Sequence, residues 1–187
     1  SQMENPFRLM ARLADEMGFI FHSQEIMEQC LDKWLMKKAL LQSDVPCAKG
    51  ILFSEYDEIT QEKISILSFP LVIKPKDGTS SQGVYKVESI EEILKYRPLT
   101  QSFSRGGEII LEEFLDGPEI SVESITYKGR TTIIQYTEKF ITPFPRTVEL
   151  GHLQPAQLSE SEKLDVDNLV IHAINALGID NSASHSE

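Results

Sequence analysis

Phe69-Pro70-Leu71-Val72-Ile73-Lys74-Pro75-Lys76-Asp77-Gly78-Thr79-Ser80-Ser81-Gln82-Gly83-Val84 is the stretch that decides how this chain reads. The apolar run at 71–73 predicts a strand with Lys74 at its end. Pro75 has no N–H to give to a ladder, and a run of small polar residues follows it. Residues 84–87 then return as the second arm of a β-hairpin. Such a loop can close backbone N–H groups on an anion, with Ser80 and Ser81 adding hydroxyl donors and Lys74 a point charge. The spacing is neither the Walker A pattern nor the dinucleotide G-x-G-x-x-G. Taken alone, a solvated turn rich in Ser and Gly explains the same residues.

A second segment gives the loop its meaning. Ile109-Ile110-Leu111-Glu112-Glu113-Phe114-Leu115-Asp116-Gly117-Pro118-Glu119 runs as a strand into two acids, turns at Asp116-Gly117-Pro118, and opens another strand on Glu119. A third element lies upstream, where Asp32-Lys33 starts a helical run that stops before Val45-Pro46. Together these pieces resemble the ATP-grasp superfamily of carboxylate–amine ligases, in the right order from Lys33 to Glu187. The pattern Lys-Pro-x-x-Gly-x-Ser-Ser-x-Gly at 74–83 is similar to that of D-alanine–D-alanine ligases, and the 137–156 region looks most like L-amino-acid ligases.

The resemblance implies an α+β ATP-grasp fold of two lobes gripping nucleotide. Residues 1–30 read as a helical tail of a preceding domain, 31–113 as the first lobe, and 114–187 as a second, incomplete lobe. It also implies roles. Lys33 and Lys74 would grip the α- and β-phosphates, with Ser80, Ser81 and Gly83 folding over the phosphate tail. Glu112 would accept from the adenine amino group, backbone groups of Glu113 and Leu115 would pair with the ring edge, and Glu119 would hold the ribose hydroxyls. Strand alternation puts Glu119, Ser121 and Glu123 on one face. Lys139 and His152 are the candidate phosphate or substrate contacts. Glu187 stands where the family places its first metal ligand, for Mg²⁺ or Mn²⁺. The further Glu and Asn of the family's metal site lie past this sequence, so the chain by itself is expected to be inactive.

The activity implied is ATP-dependent joining of a small carboxylate to an amine through an acyl phosphate, with amino acids or peptides as substrates. A biotin-carboxylase or carbamoyl-phosphate-type domain is a second reading. A nucleotide-binding module without chemistry is a third, from a different class. A homodimer is compatible with any of them.

Composition sets the outer bounds. The 187 residues are 41% hydrophobic and 25% charged, as in an ordinary folded domain. A net charge of −11 argues against nucleic-acid or anionic-membrane partners, which need clustered Lys and Arg. No apolar run approaches the ~20 residues of a membrane span. Cys30 and Cys47 form no metal spacing and read as reduced thiols of a cytoplasmic protein.

Elsewhere the expectations are local. Residues 19–21 read as a short buried strand and 54–61 as a short helix. Lys37 and Lys38 read as solvated cations near a helix end, and Lys76 and Lys86 as ordinary surface charges. Ser89 with Glu92 starts a brief helix, and Ser159 with Glu162 caps a longer one ending at Gly178. Residues 137–151, with Pro143 and Pro145, read as a long loop.

Overall fold

The computed structural model describes residues 4–143 and 149–187. By internal contact they form two compact units, one of residues 48–117 with 141–143, the other of 4–47, 118–140 and 149–187.

The first unit is an antiparallel sheet with a helix packed on it. Strands β1 (Gly50–Phe53), β2 (Leu71–Pro75), β3 (Tyr85–Val87) and β4 (Ile109–Glu113) lie in the order β1-β4-β2-β3. Helix α4 (Ile90–Gln101) packs on β2, β3 and β4. Side chains of a strand alternate between faces, so Leu71, Ile73, Val87, Ile109 and Leu111 enter one core with Ile93 of the helix, all fully buried. Each such side chain contributes roughly 1.5–3 kcal/mol by leaving water. The same alternation sends Lys74 and Glu112 to the opposite face. The hairpin expected around the Ser-rich loop is present, with Leu71 opposite Val87 and Ile73 opposite Tyr85. Pro75 keeps its place in register opposite Ile109, as the last residue of its strand.

The second unit holds three N-terminal helices, α1 (Glu4–Met17), α2 (Gln24–Leu31) and α3 (Lys33–Gln42). Its sheet has the order β7-β6-β5-β8, built from β5 (Glu119–Tyr127), β6 (Arg130–Ile141), β7 (Glu149–Leu153) and β8 (Ser182–Ser186). Helix α5 (Glu160–Ala176) places Val170 and Ile174 against Val122. The β5–β6 hairpin turns through Lys128 (φ 50°) and Gly129 (φ 74°), the left-handed pair a tight two-residue turn needs. Asp32 caps α3 by accepting from the N–H groups of Trp34 (2.9 Å) and Leu35 (3.0 Å). Residues 31–47, grouped with the first lobe on sequence, have their contacts in this unit, where α3 packs on α5. The capping box of Ser159 with Glu162 is formed, and Gly178 follows α5 at φ 70°.

Several local expectations are corrected. Residues 19–21 form no strand, and Ile20 is 86% exposed. Residues 54–61 make turns, because Asp57 accepts the Ser54 N–H at 2.7 Å and takes up the backbone donor itself. The helix after Ser89 is not brief, since it runs through Pro98 to Gln101. Within the expected loop at 137–151, β6 continues to Ile141 and β7 starts at Glu149, and Lys139 pairs across strands with Glu119 and Glu149. Pro145 lies outside the described residues. Lys37 is buried against Cys47 and not solvated, whereas Lys38 is exposed.

Candidate functional site

In the first unit, β2 and β4 bring Lys74 and Glu112 together. Lys74 Nζ lies 2.5 Å from Glu112 Oε2, with side chains 22% and 12% exposed. The neighbouring acid points elsewhere, since Glu113 accepts from the Ser68 N–H at 3.0 Å while its own N–H donates to Lys49 O. Phe114 N–H donates to Pro70 O, and the Lys86 ammonium sits 4.3 Å from the centre of the Phe114 ring. Leu115, just past the strand, is 72% exposed. Lys76 is ion-paired with Glu108 and Lys86 packs on Phe114, so neither is the free surface charge expected of it.

The loop after β2 exposes Ser80 and Ser81 but buries the Thr79 hydroxyl. Ser80 (φ 56°) and Ser81 (φ 53°) are left-handed and exposed, and Gly83 follows at φ 74°. Thr79 Oγ1 is buried and has no hydrogen-bond partner among the described residues. A buried hydroxyl without a partner costs free energy that an acceptor such as a phosphate oxygen would recover. The loop therefore fits a polyphosphate.

In the second unit, strand register builds a charged cup. Glu119 lies opposite Lys139, Ser121 opposite Thr137, and Glu123 opposite His185. The cup has a volume of about 180 Å³, and Lys139, Glu149, His152, His185 and Glu187 line it with Glu123. Lys139 Nζ is its centre, 2.8 Å from Glu119, 2.9 Å from Glu149 and 2.5 Å from Glu187, on a side chain only 5% exposed. Burial pulls the pKa of this ammonium down, but hydrogen bonds to Glu119, Glu187 and Glu149 outweigh it and hold the pKa above the ordinary lysine value. Burial pushes the Glu187 carboxyl up, yet Lys139 and His185 hold it below the usual carboxylate range. His185 bridges two acids, with Nδ1 2.6 Å from Glu123 and Nε2 3.3 Å from Glu187. His152 faces Glu149 at 3.7 Å.

Of the residues singled out on sequence, Lys74, Glu112, Ser80, Ser81 and Gly83 share the first unit. Lys139, His152 and Glu187 line the cup, and Glu119 pairs with Lys139. Lys33 stands at the first position of α3, in the second unit. Glu149 was missed, because its segment read as a loop. Its spacing to His152 gave no signal, since residues three apart on a strand point to opposite faces, yet the two side chains approach to 3.7 Å.

A divalent cation suits part of this donor set. Glu119, Glu149 and Glu187 offer the oxygen ligands that Mg²⁺ prefers. They converge on an ammonium, and among the described residues no three acidic, His or Cys side chains form a metal cluster. Glu187 fits as a single carboxylate ligand, the number Mg²⁺ commonly takes beside phosphate and water.

The chain is similar to known proteins in sequence and in fold. A D-alanine–D-alanine ligase of Flavobacterium psychrophilum is 31% identical over 147 residues, which is 75% of this chain and 44% of that protein. The chain thus spans less than half the length of that curated relative. The crystal structure of an L-amino acid ligase from Bacillus licheniformis superposes with a TM-score of 0.81 at 27% identity, over 98% of this chain and 42% of that one. A D-alanine–D-alanine ligase from Bacillus anthracis shares the fold, with a TM-score of 0.75 at 17% identity over 94% of this chain and 57% of the other. Residues 67–187 match the ATP-grasp domain family. With the antiparallel α+β architecture and the lysine–carboxylate pairs described above, that match establishes that this chain belongs to the ATP-grasp family.

Proposed function

We propose that this chain is the ATP-binding part of an ATP-dependent carboxylate–amine ligase whose substrates are amino acids or peptides. One observation carries the reading: a nearly buried ammonium, Lys139, held by three carboxylates in an open cup of the family's own domain. A cation already desolvated and oriented costs little to reorganise when negative charge develops beside it.

In this reading the chemistry has two steps. A substrate carboxylate oxygen attacks the γ-phosphorus, the bond to the β-phosphate oxygen breaks, and ADP leaves. The amine then attacks the acyl carbon of the acyl phosphate, expels inorganic phosphate and loses a proton. Lys33 and Lys74 hold the α- and β-phosphates, and Ser80, Ser81 and Gly83 cover them. Glu112 accepts from the adenine amino group, the backbone of Glu113 and Leu115 meets the ring edge, and Glu119 holds the ribose. Lys139 and His152 face the transferred phosphoryl or the substrate. Glu187 would hold Mg²⁺ or Mn²⁺, which neutralises polyphosphate charge when bound.

Residues 31–113 and 114–187 serve as the first and second lobes of this reading, and residues 1–30 as the end of a preceding domain. No helix among the described residues is long and apolar enough to cross a membrane. The free thiols Cys30 and Cys47 support a reducing, cytoplasmic setting, and a homodimer is compatible with it.

The test is release of ADP and phosphate by the full-length protein, given Mg²⁺, ATP and pairs of amino acids. Release that requires both a carboxylate and an amine, with a dipeptide detected by mass spectrometry, is expected. Release that depends on bicarbonate alone overturns the substrate class. Binding of ATP with no turnover on any pair overturns the ligase reading.

A further inference from the structure

The Ser80–Ser81 loop is tied at both ends to one short segment, residues 100–105, at the end of α4 and in the turn after it. At the loop's exit, Thr100 Oγ1 donates to Gly83 O at 2.9 Å, and Thr100 is fully buried. Phe103 closes on the same residue: a Cβ on Gly83 would lie 2.8 Å from its ring, and Gly83 is held at φ +74°. At the loop's entrance, Asp77 Oδ1 accepts from Ser104 Oγ at 2.9 Å and from the Arg105 N–H at 3.2 Å. The Arg105 guanidinium stands 3.9 Å from the other oxygen of the same carboxylate, whose side chain is only 10% exposed.

Between these anchors the tip is lightly held. Ser80, Ser81 and Gln82 are exposed, and the backbone bonds inside the tip are local ones, Gln82 N–H to Thr79 O at 3.2 Å and Val84 N–H to Ser81 O at 3.4 Å. A segment with fixed ends and few internal contacts opens locally at low cost. The geometry of the anchors then decides where the tip's hydroxyls and N–H groups can go.

We infer that Thr100 and Ser104 are positioning residues for the phosphate-covering loop, fixing its two ends through Gly83 and Asp77 so that its tip closes in one place over a polyphosphate. The inference rests on the reading that this loop covers the nucleotide's phosphates. Neither side chain need touch the ligand. Loss of the Thr100 hydroxyl leaves a buried carbonyl without its donor, which frees the exit hinge. Loss of the Ser104 hydroxyl slackens the entrance.

The experiment uses Thr100→Val, Thr100→Ser and Ser104→Ala in the chain as it stands, with ADP and adenosine as probes. Amide hydrogen exchange is followed over residues 78–84, and both affinities are measured by calorimetry. In the wild type, ADP slows exchange at the tip and adenosine does not. Thr100→Val speeds exchange there in the free protein and weakens ADP binding roughly tenfold, about the worth of one buried hydrogen bond. It leaves adenosine affinity unchanged, and Thr100→Ser restores both values. Ser104→Ala, in a half-buried turn, shows the same pattern to a smaller degree and serves should Thr100→Val fail to fold. If ADP gives no protection in the wild type, the reading of the loop itself fails. If ADP protects the tip but the variants match wild type in exchange and ADP affinity, or lose ADP and adenosine equally, the positioning role is overturned while the loop's role stands.

Discussion

Lys74 and Glu112 form an ion pair on the diagonal of the sheet: Lys74 stands opposite Ile110 and Glu112 opposite Val72, yet Nζ meets Oε2 at 2.5 Å. Diagonal neighbours on one face lie within reach of long side chains. Two residues assigned to opposite ends of a nucleotide, one to phosphate and one to adenine, are thus partners in the free protein. Each holds the end of the other in place on a largely buried face.

The pair should therefore matter twice. Removing either partner leaves a charge with little access to water, so Lys74→Met and Glu112→Leu should each lower stability by about 1–3 kcal/mol, below the full cost of breaking a deeply buried pair. The double variant should recover much of that loss. ADP affinity should fall in all three, and fall furthest where Lys74 is gone. Urea melts with a calorimetric titration of each variant give both readings. Additive stability losses would show that the two side chains do not support one another.

Lys76 offers the contrast. Its ion pair with Glu108, and its N–H donated to Glu108 O at 3.2 Å, tie the strand end to the start of β4. Lys76→Ala should cost about 1 kcal/mol of stability, since both side chains retain some solvent access. Its ADP affinity should stay within about twofold of wild type. A loss of affinity as large as that of Lys74→Met would place Lys76, too, at the nucleotide.

What could be read from sequence follows from how local each signal is. The β2–loop–β3 hairpin, the acids at the end of β4 and the capped α5 are set by neighbours a few residues apart, and all were legible. The face shared by Glu119, Ser121 and Glu123 follows from strand alternation alone. The partners across strands were not legible. Glu119 meets Lys139 twenty residues on, and His185 meets Glu123 from β8, because register depends on a hairpin and a helix connection together. Lys37 was misplaced for a related reason: helix position predicted solvent, but packing brought Cys47 over it at 3.9 Å.

His22 supplies a pH-dependent prediction. It is 8% exposed, and burial pushes its pKa below the ordinary value, with Asp180 opposing in part. Between the unfolded value near 6.5 and the lower folded one, the unfolded chain binds the proton and the folded chain does not. Stability should thus fall as pH drops below about 6.5. His185 works the other way: its pKa is raised, so its contribution is present below the unfolded value and is lost as pH rises through the folded one. The difference in urea midpoint between wild type and His22→Gln isolates the first effect. That difference should shrink, or change sign, as pH is lowered from 7.5 to about 5.5, since the variant has no buried imidazole to protonate. A constant difference across that range would mean His22 does not titrate differently in the folded state.

The cup in the second unit predicts a competition between two cations. Lys139 occupies the point where Glu119, Glu149 and Glu187 converge, so a divalent ion entering without nucleotide meets an ammonium already in place. Like charges a few ångströms apart repel, and the carboxylates that would coordinate the ion are committed to lysine. Wild-type protein should therefore bind Mn²⁺ weakly when nucleotide is absent. Lys139→Met removes the competing charge and releases the carboxylates of Glu119, Glu149 and Glu187, oxygen donors of the kind a hard divalent cation takes. Its affinity for Mn²⁺ should rise by roughly tenfold or more, which corresponds to a modest 1.4 kcal/mol. Adding Glu187→Gln to that variant should reverse the gain, because it withdraws the carboxylate closest to the lysine. Free Mn²⁺ counted by electron paramagnetic resonance measures each affinity directly. Unchanged Mn²⁺ binding in Lys139→Met would show that these carboxylates separate once the lysine is gone and that the cup is held together by Lys139 alone.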